Sequence, residues 1–535
     1  MPKTRPANEI VELVFGLVGP VGTDFPTVIA ALSDSLTKVQ YVPQVLRLSS
    51  YLQEYKLANG LLAINLTSKF EDERISSHQD AGNALRERLG NNAALAIRAI
   101  QEIATTRALP PTRTGYLLHS LKRPEEVEQL RAVYGEGFYL IAVVAPRWLR
   151  ITTLAERIAK SHGTGEVERF LKVAEELVQR DEDEQSFYGQ KLSDTFPTAD
   201  LFVSFDDGSR HAIDQVKKSV SRFVQLIMGS TDHTPTREEA GMFHAFGAAL
   251  RSGSLARQVG AAITTPLGDL ISVGCNDTPR AGGGIYWANE HYDHRDITHG
   301  RDTSEIYEDK MLAEIHRALA AEEWCPEDLT VDKLRNILEK TAIMGLLEFS
   351  RSLHAEMEAL LAAGRTGTSV RGADLFSTTF PCHECAKLIL GAGIHRVLYI
   401  EPYPKSQVAG MYKHEIATSD HLRVCVKCGD TRATDDKCPG CGDTHAIQFD
   451  KDGRCLVCGE EHLARFLPFT GIGPGRYLEL FSLVIQGTRQ KRKDARGNRE
   501  QWRPAQRKPL YPASYLQKEK LIKDQYAPQF DKLKG

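Results

Sequence analysis

Short apolar runs alternate with helical periodicities through the first 230 residues. "LVFGLVG" from Leu13, "GFYLIAVVAP" from Gly137 and "DLFVSF" from Asp200 are near-continuous apolar stretches. That is the pattern of parallel strands covered on both faces. Between them, "PTVIAALSDSLTKV", "ITTLAERIAKS" and "AIDQVKKSVSRFVQLIMG" repeat their apolar positions at helical spacing. Pro26 suits the first turn of the first of these helices. The alternation predicts an α/β domain with a doubly wound parallel sheet.

The polar, turn-rich stretch "STDHTPTREEAG" from Ser230 marks a boundary. Beyond it the pattern predicts a helix at "MFHAFGAALRSG" and strands at "QVGAAITT" and "DLISVGCN". A polar insert follows, and then helical sequence as far as Leu361. The strand "DLFSTTF", a helix after Pro381 and the strand "RVLYI" complete the segment. The expected organisation is a first domain over 1–230 and a second over 240–487. A cysteine-rich insert occupies 420–463, and a basic tail with 14 Lys/Arg against 5 Asp/Glu begins at 488.

The 535 residues suffice for several buried cores. A formal net charge of −3 excludes a polyanion binder of uniformly basic surface. No run of 18 apolar residues is present, so no membrane span is expected and the chain reads as cytoplasmic. In that compartment clustered cysteines favour zinc over disulfides. Eight of the ten cysteines fall in four Cys-x-x-Cys pairs, which are Cys382/Cys385, Cys425/Cys428, Cys438/Cys441 and Cys455/Cys458.

The first pair has a partner upstream. "LHAEMEAL" places His354 and Glu356 at the start of a predicted helix, and "PCHEC" places Cys382 and Cys385 at the start of another. Positive helix ends favour thiolates. One imidazole and two thiolates give zinc three protein ligands and leave a fourth position open, which separates a catalytic from a structural site. Glu356, two residues past the histidine, is then free to move protons. The later pairs, "CVKCGDTRATDDKCPGCG" and "CLVCGEEH", have the spacing of zinc knuckles. They predict one or two structural zinc ions beside the catalytic one, with His421, His445 or His462 as further donors.

"SLARQVGAAITT", "LISVGCNDTP", "LHAEMEALLAAG" and "LFSTTFPCHECAKLILGAGIHRVLYIEPYPKS" resemble, in order and spacing, the cytidine and deoxycytidylate deaminase superfamily, most closely its deoxycytidylate type. The resemblance implies an α/β/α sandwich around a mixed sheet. It makes His354, Cys382 and Cys385 the zinc ligands and Glu356 the proton carrier. Asn276 and Thr379 become substrate contacts, with Arg257 and Lys405 beside them. The chemistry implied is hydrolysis at carbon 4 of cytosine. Cys275 and Asp277 stand where the family pattern has Tyr and Gly, which sets this chain apart at the family's effector site.

"GLVGPVGTDFP" lies between a predicted strand and helix and resembles a P-loop. Gly16, Gly19, Gly22, Thr23 and Asp24 become candidate nucleotide contacts, with a nucleotide effector as their ligand. Counted from Gly19, however, the P-loop lysine position holds Phe25, so phosphoryl transfer is not expected. A kinase-like front fused to such a deaminase resembles the bacterial anti-phage dCTP deaminases, including "YLLHSLKRPEEVEQLRAVYGEGFYLIAVVAP". That resemblance implies deoxycytidine nucleotides as substrates, dCTP depletion on infection and an inhibitory or sensing partner, RNA or nucleotide. It also implies a homo-oligomer. Two rival functions are a deaminase acting on a base within RNA or DNA, and a zinc-stapled nucleic-acid-binding scaffold. Arg476 is a third candidate triphosphate contact. Phe469 is placed either on the base or in the core. His291, His294 and His299, with Asp293 and Asp296, form either a metal cluster or a polar insert.

Overall fold

The computed structural model describes residues 12–534 except 60–61, 68, 108–111, 183–188, 206–208, 323, 325, 327, 340, 346–348, 404–405, 414, 419–462, 486–487 and 490–514. Lys405 and the six later cysteines, Cys425, Cys428, Cys438, Cys441, Cys455 and Cys458, therefore lie outside the described residues. The expected structural zinc ligands and one expected substrate contact fall among them. The described residues of 1–239 and 470–535 form one compact unit, and those of 240–418 and 448–469 a second. This division differs from the expected 1–230, 240–487 and 488–535.

In the first unit the strands are β1 (Leu13–Val18), β2 (Val42–Arg47), β3 (Thr114–Leu121), β4 (Phe138–Val144) and β5 (Leu201–Ser204). They pair in parallel in the order β5-β4-β1-β3-β2, and the short strand Gly471–Ile472 adds antiparallel to β5. Every residue of β1 is buried, as its apolar run requires. Phe15 lies between Leu117 and Tyr139 in the ladder. Helices α1 (Phe25–Lys38), α2 (Glu71–Leu89), α3 (Ala94–Thr106), α4 (Pro124–Tyr134), α5 (Arg147–Ser161), α6 (Leu171–Glu182) and α7 (Arg210–Ile227) alternate with and follow these strands along the chain. The α/β expectation is met in this alternating, largely parallel arrangement.

The basic tail is not all solvated chain. Residues Tyr515–Lys534 form a helix that packs on α3. Its Phe530 and Leu533 are buried. Its buried Glu519 accepts hydrogen bonds from Arg107 (2.7 Å) and Tyr134 (2.8 Å). Charge alone hid these anchors, because one acidic and two apolar positions secure the helix. Arg476 is likewise committed within the first unit, where it binds Asp200 at 2.9 Å and the Phe138 carbonyl at 2.8 Å.

The second unit is built on a mixed sheet of β6 (Gly260–Thr264), β7 (Leu270–Cys275), β8 (Asp374–Thr379), β9 (Arg396–Glu401), β10 (Ile416–Thr418) and β11 (Ala464–Pro468), in the order β10-β11-β9-β8-β6-β7. β6 runs antiparallel to both its neighbours, while β8, β9, β11 and β10 run parallel. Helices α8 (Ala355–Arg365) and α9 (His383–Ala392) follow the two ligand motifs. Small residues let α8 approach the sheet. Ala355 and Ala359 are buried in the core with Ala261, Ile263 and Leu375, and Ala363 on the same helix is buried too.

Gly274 is the tightest point of that approach. A Cβ there would stand 2.3 Å from the Ala355 carbonyl oxygen and 2.4 Å from the Ala359 nitrogen. Backbone cannot yield as a flexible side chain does. Gly274→Ala is therefore expected to destabilise the chain by about 1–3 kcal/mol, the usual cost of overpacking. Denaturant unfolding would show it as a lowered midpoint, whereas an unchanged midpoint would mean that α8 can move away freely.

Candidate metal centre and its proton carrier

His354 is the N-cap residue of α8, and Cys382 is the N-cap residue of α9. An antiparallel bridge sets the entry to α8. Leu353 donates its amide to the Asp277 carbonyl at 2.9 Å, and Asp277 returns the bond at 3.2 Å. The entry to α9 follows β8 through Pro381. Because β8 and β9 are parallel, Thr379 pairs with Glu401 at the same edge of the sheet.

These entries bring three donors together. His354 Nδ1 is 3.3 Å from the sulfurs of both Cys382 and Cys385. One ligand atom from each residue lies within 4.8 Å of the others. Among the described residues this is the one group of three or more His, Cys, Asp or Glu so arranged. Both cysteines are buried. The Cys385 amide, in the first turn of α9, donates to Cys382 Sγ at 3.5 Å. A nitrogen and two sulfurs at this spacing fit zinc, whose ligand bonds are about 2.0–2.3 Å. The donor set thus agrees in chemistry and in span with the metal expected.

Glu356 is buried, with 4% of its surface exposed. Its Oε1 accepts from Ser377 Oγ at 3.1 Å, and its Oε2 accepts from Cys385 Sγ at 3.4 Å. Burial pushes its carboxyl above the usual carboxylate range. The hydrogen bond with Cys382 raises His354. Cys382 is lowered to about 4, chiefly by the hydrogen bond from Cys385 and then by His354. Its interaction with the Cys382 sulfur, together with burial, raises Cys385 well above the ordinary thiol value. Two sulfurs and an imidazole at this distance are a donor set that releases protons when it takes up a cation.

The other expected residues take different places. Asn276 is tied to its own loop, since Oδ1 accepts from Ser252 Oγ (2.8 Å) and the Val259 amide (2.7 Å) while Nδ2 donates to the Arg257 carbonyl (2.9 Å). One amide proton remains for another partner. Thr379 is buried and donates to Glu401 Oε2 at 3.2 Å, while the half-exposed Arg257 binds Glu401 Oε1 at 2.7 Å. Glu401 and Ser377 were not singled out from sequence. Glu401 ends an apolar strand and Ser377 lies two residues before Thr379, and it is the pairing of their strands that gives both positions their meaning. Asp277 is buried and accepts from the Gly253 amide at 3.0 Å, so it secures the loop that Asn276 also holds.

Phe469 is 1% exposed and belongs to the core. In the histidine insert, Asp293 binds Arg295 at 2.7 Å and Asp296 binds Arg351 at 2.5 Å. Those histidines form no metal group among the described residues, which leaves the polar-insert reading.

The glycine loop of the first unit is arranged for packing as much as for ligands. A Cβ on Gly16 would meet Leu121 at 2.6 Å, and one on Gly19 would meet the Val143 carbonyl at 2.9 Å. Gly22 has φ +88°, which a side chain strains to adopt. Asp24 caps α1 by accepting from the Thr27 amide at 3.2 Å, and the Thr23 hydroxyl is buried. The Val21 amide donates to Asp181 Oδ2 at 2.6 Å. Lys122 donates to the same oxygen at 2.7 Å and to the Gly19 carbonyl at 3.0 Å. A carboxylate of the protein is therefore held at the loop amide.

Residues 235–401 match the family model of the cytidine and deoxycytidylate deaminase zinc-binding region. The chain is 44% identical over 55 residues to the deoxycytidylate deaminase of Enterobacteria phage T2, covering 10% of this chain and 29% of that protein. It is 43% identical over 54 residues to ComE operon protein 2 of Bacillus subtilis (strain 168), covering 10% and 29%. The chain thus spans less than a third of the length of these relatives. A crystal structure of dCMP deaminase from the cyanophage S-TIM5, in complex with dCMP and dUMP, aligns at 22% identity and a TM-score of 0.20. That alignment covers 34% of this chain and 93% of that one.

Cys382→Ala or Cys385→Ala is expected to lower the zinc content of the purified protein by about one ion per chain, because a three-donor site does not survive as two. Thr379→Ala, which alters a hydroxyl outside the donor group, is expected to leave it unchanged. Metal analysis by mass spectrometry checks both expectations.

Proposed function

We propose that the second unit is a hydrolytic deaminase that converts the cytosine of deoxycytidine nucleotides to uracil. The observation that carries this reading is the buried carboxyl of Glu356, in contact with one sulfur of the His354/Cys382/Cys385 donor group. The family-model match over residues 235–401 supports it.

His354, Cys382 and Cys385 would hold zinc. When bound, zinc supplies Lewis acidity that makes water nucleophilic near neutral pH. The protein's own part is proton movement in a site shielded from bulk water. Glu356 accepts a proton from the attacking water and delivers it to ring nitrogen 3 as the water oxygen bonds to carbon 4. It then carries the second proton to the exocyclic amino group, the carbon–nitrogen bond breaks, and ammonia leaves. The balance is nucleotide plus water giving the deoxyuridine nucleotide plus ammonia. Ser377 holds Oε1, and Oε2, on the side of the Cys385 sulfur, would be the oxygen that moves the proton. Arg257, paired with Glu401, would meet substrate phosphate, and the remaining amide proton of Asn276 would contact the sugar.

The same reading takes dCTP as well as dCMP as substrate. It extends to a cytoplasmic homo-oligomer that depletes dCTP during phage infection and is restrained by an RNA or nucleotide partner through its first unit. The support is the resemblance of the chain to the anti-phage dCTP deaminases. Among the described residues no helix is long and apolar enough to cross a membrane. Cys425, Cys428, Cys438, Cys441, Cys455 and Cys458 are proposed, on their sequence spacing alone, to bind the structural zinc.

Wild-type protein incubated separately with dCMP and dCTP is expected to release ammonia and yield dUMP or dUTP. Glu356→Gln is expected to lower kcat by about 10²- to 10⁴-fold, the usual worth of general acid–base catalysis. Chromatography of the products reads both. Turnover only on a cytosine-containing oligonucleotide, or ammonia release undiminished in Glu356→Gln, contradicts the proposal.

A further inference from the structure

Beside the metal centre stands an ion pair that belongs neither to the donor group nor to the proton path. Glu401 ends β9 and pairs in register with Thr379, the last residue of β8. The Phe380 amide donates to the Glu401 carbonyl at 2.7 Å, which fixes its backbone. The carboxylate is divided between two partners. Its Oε2 accepts from the Thr379 hydroxyl at 3.2 Å, and its Oε1 accepts from Arg257 Nη1 at 2.7 Å.

Arg257 is held from three sides. Asn276 Nδ2 donates to its carbonyl at 2.9 Å, Glu401 takes one nitrogen of its guanidinium, and the Tyr403 ring lies 5.4 Å from the guanidinium carbon. Tyr403 packs on the core that contains Cys382 and Cys385. Burial raises its phenol, Arg257 opposes the rise and Cys382 adds to it, so the ring stands within electrostatic reach of both.

A guanidinium carries five N–H donors in a rigid fork. Glu401 occupies Nη1, and no group among the described residues accepts from Nε or Nη2 of Arg257. The two side chains keep 43% and 31% of their surface exposed, and an ion pair that exposed adds little to stability. Its effect falls on binding instead. A ligand meets a guanidinium that has already lost its rotamer freedom. The free edge of the fork has the planar, two-pronged form that suits a phosphate.

We infer that Glu401 is a positioning residue for substrate phosphate. It locks Arg257 so that the free edge of the guanidinium takes the phosphate on the sugar, and the site thereby selects nucleotides over nucleosides. The inference rests on the deaminase reading of the second unit. Thr379 stands three residues before Cys382, at most about 11 Å along the chain. At that range the fork meets the first phosphate and not one further out, so mono- and triphosphates share the contact. The carboxylate repels phosphate, but the Nε–Nη2 edge faces away from Nη1, so the guanidinium stands between the two.

Calorimetric titration of the full-length protein with dUMP and dUTP, and with deoxyuridine by displacement, reads the contact without turnover. Glu401→Ala is expected to weaken dUMP and dUTP by about tenfold or more each, the scale of a hydrogen bond to a charged group, and to leave deoxyuridine within about twofold. Arg257→Ala is expected to weaken dUMP at least as far. Adding Glu401→Ala to it is expected to change nothing more, because the carboxylate acts through the guanidinium. In turnover of dCMP, the loss in Glu401→Ala is expected in KM and not in kcat. Zinc content equal to that of the wild type shows that each variant is folded. Unchanged or tighter dUMP binding in Glu401→Ala overturns the inference and leaves the deaminase reading in place, as does equal weakening of dUMP and deoxyuridine. Wild-type protein that binds neither dUMP nor dUTP and does not turn over dCMP contradicts that reading, and the inference with it.

Discussion

The second unit depends on two helix starts being brought to one point. His354 and Cys382 each occupy the residue just before a helix, so their side chains and the first-turn amides share one small region. Packing makes that convergence possible. Alanines on α8 and Gly274 on β7 let helix backbone rest almost directly on sheet backbone, and the Asp277–Leu353 bridge fixes where the helix begins. Donor spacing, burial of Glu356 and the reach of Ser377 all follow from that fit. A shift of α8 away from the sheet would loosen every one of them together.

The two units place their chemistry by a similar rule. In each, the groups of interest stand at the carboxyl ends of parallel strands, where loops and helix starts present polar atoms over an apolar sheet. The second unit uses that edge for two cysteine sulfurs, an imidazole and a buried carboxyl. The first uses it for the glycine loop after β1, whose Val21 amide meets Asp181. Polar groups buried without partners are a cost that a folded chain seldom bears without return. In the second unit the buried Glu356 carboxyl contacts both a hydroxyl and a thiol.

Much of this was legible in the sequence. Continuous apolar runs such as "LVFGLV" and "FYLIAVV" announced strands buried on both faces, and His354-x-Glu356 with Cys382-x-x-Cys385 announced the donor group. What escaped was whatever depends on long-range pairing. Ser377 and Glu401 are ordinary residues in a linear reading, and only the parallel register of β8 and β9 brings Glu401 beside Thr379. Asp181 at the loop amide, and Lys122 beside it, come from distant elements and leave no local trace. The helix Tyr515–Lys534 was masked by its charge, because Glu519, Phe530 and Leu533 acquire meaning only against α3 and Arg107.

The central claim is that three protein donors hold a metal and leave its remaining position to a small molecule beside a buried carboxyl. Anomalous diffraction at the zinc absorption edge tests this most directly. The account predicts a peak within bonding distance of His354 Nδ1 and of the sulfurs of Cys382 and Cys385, with a light, non-protein atom completing the tetrahedron on the side of Glu356. A peak coordinated by a fourth side chain, or density without any anomalous signal between those three residues, would contradict it.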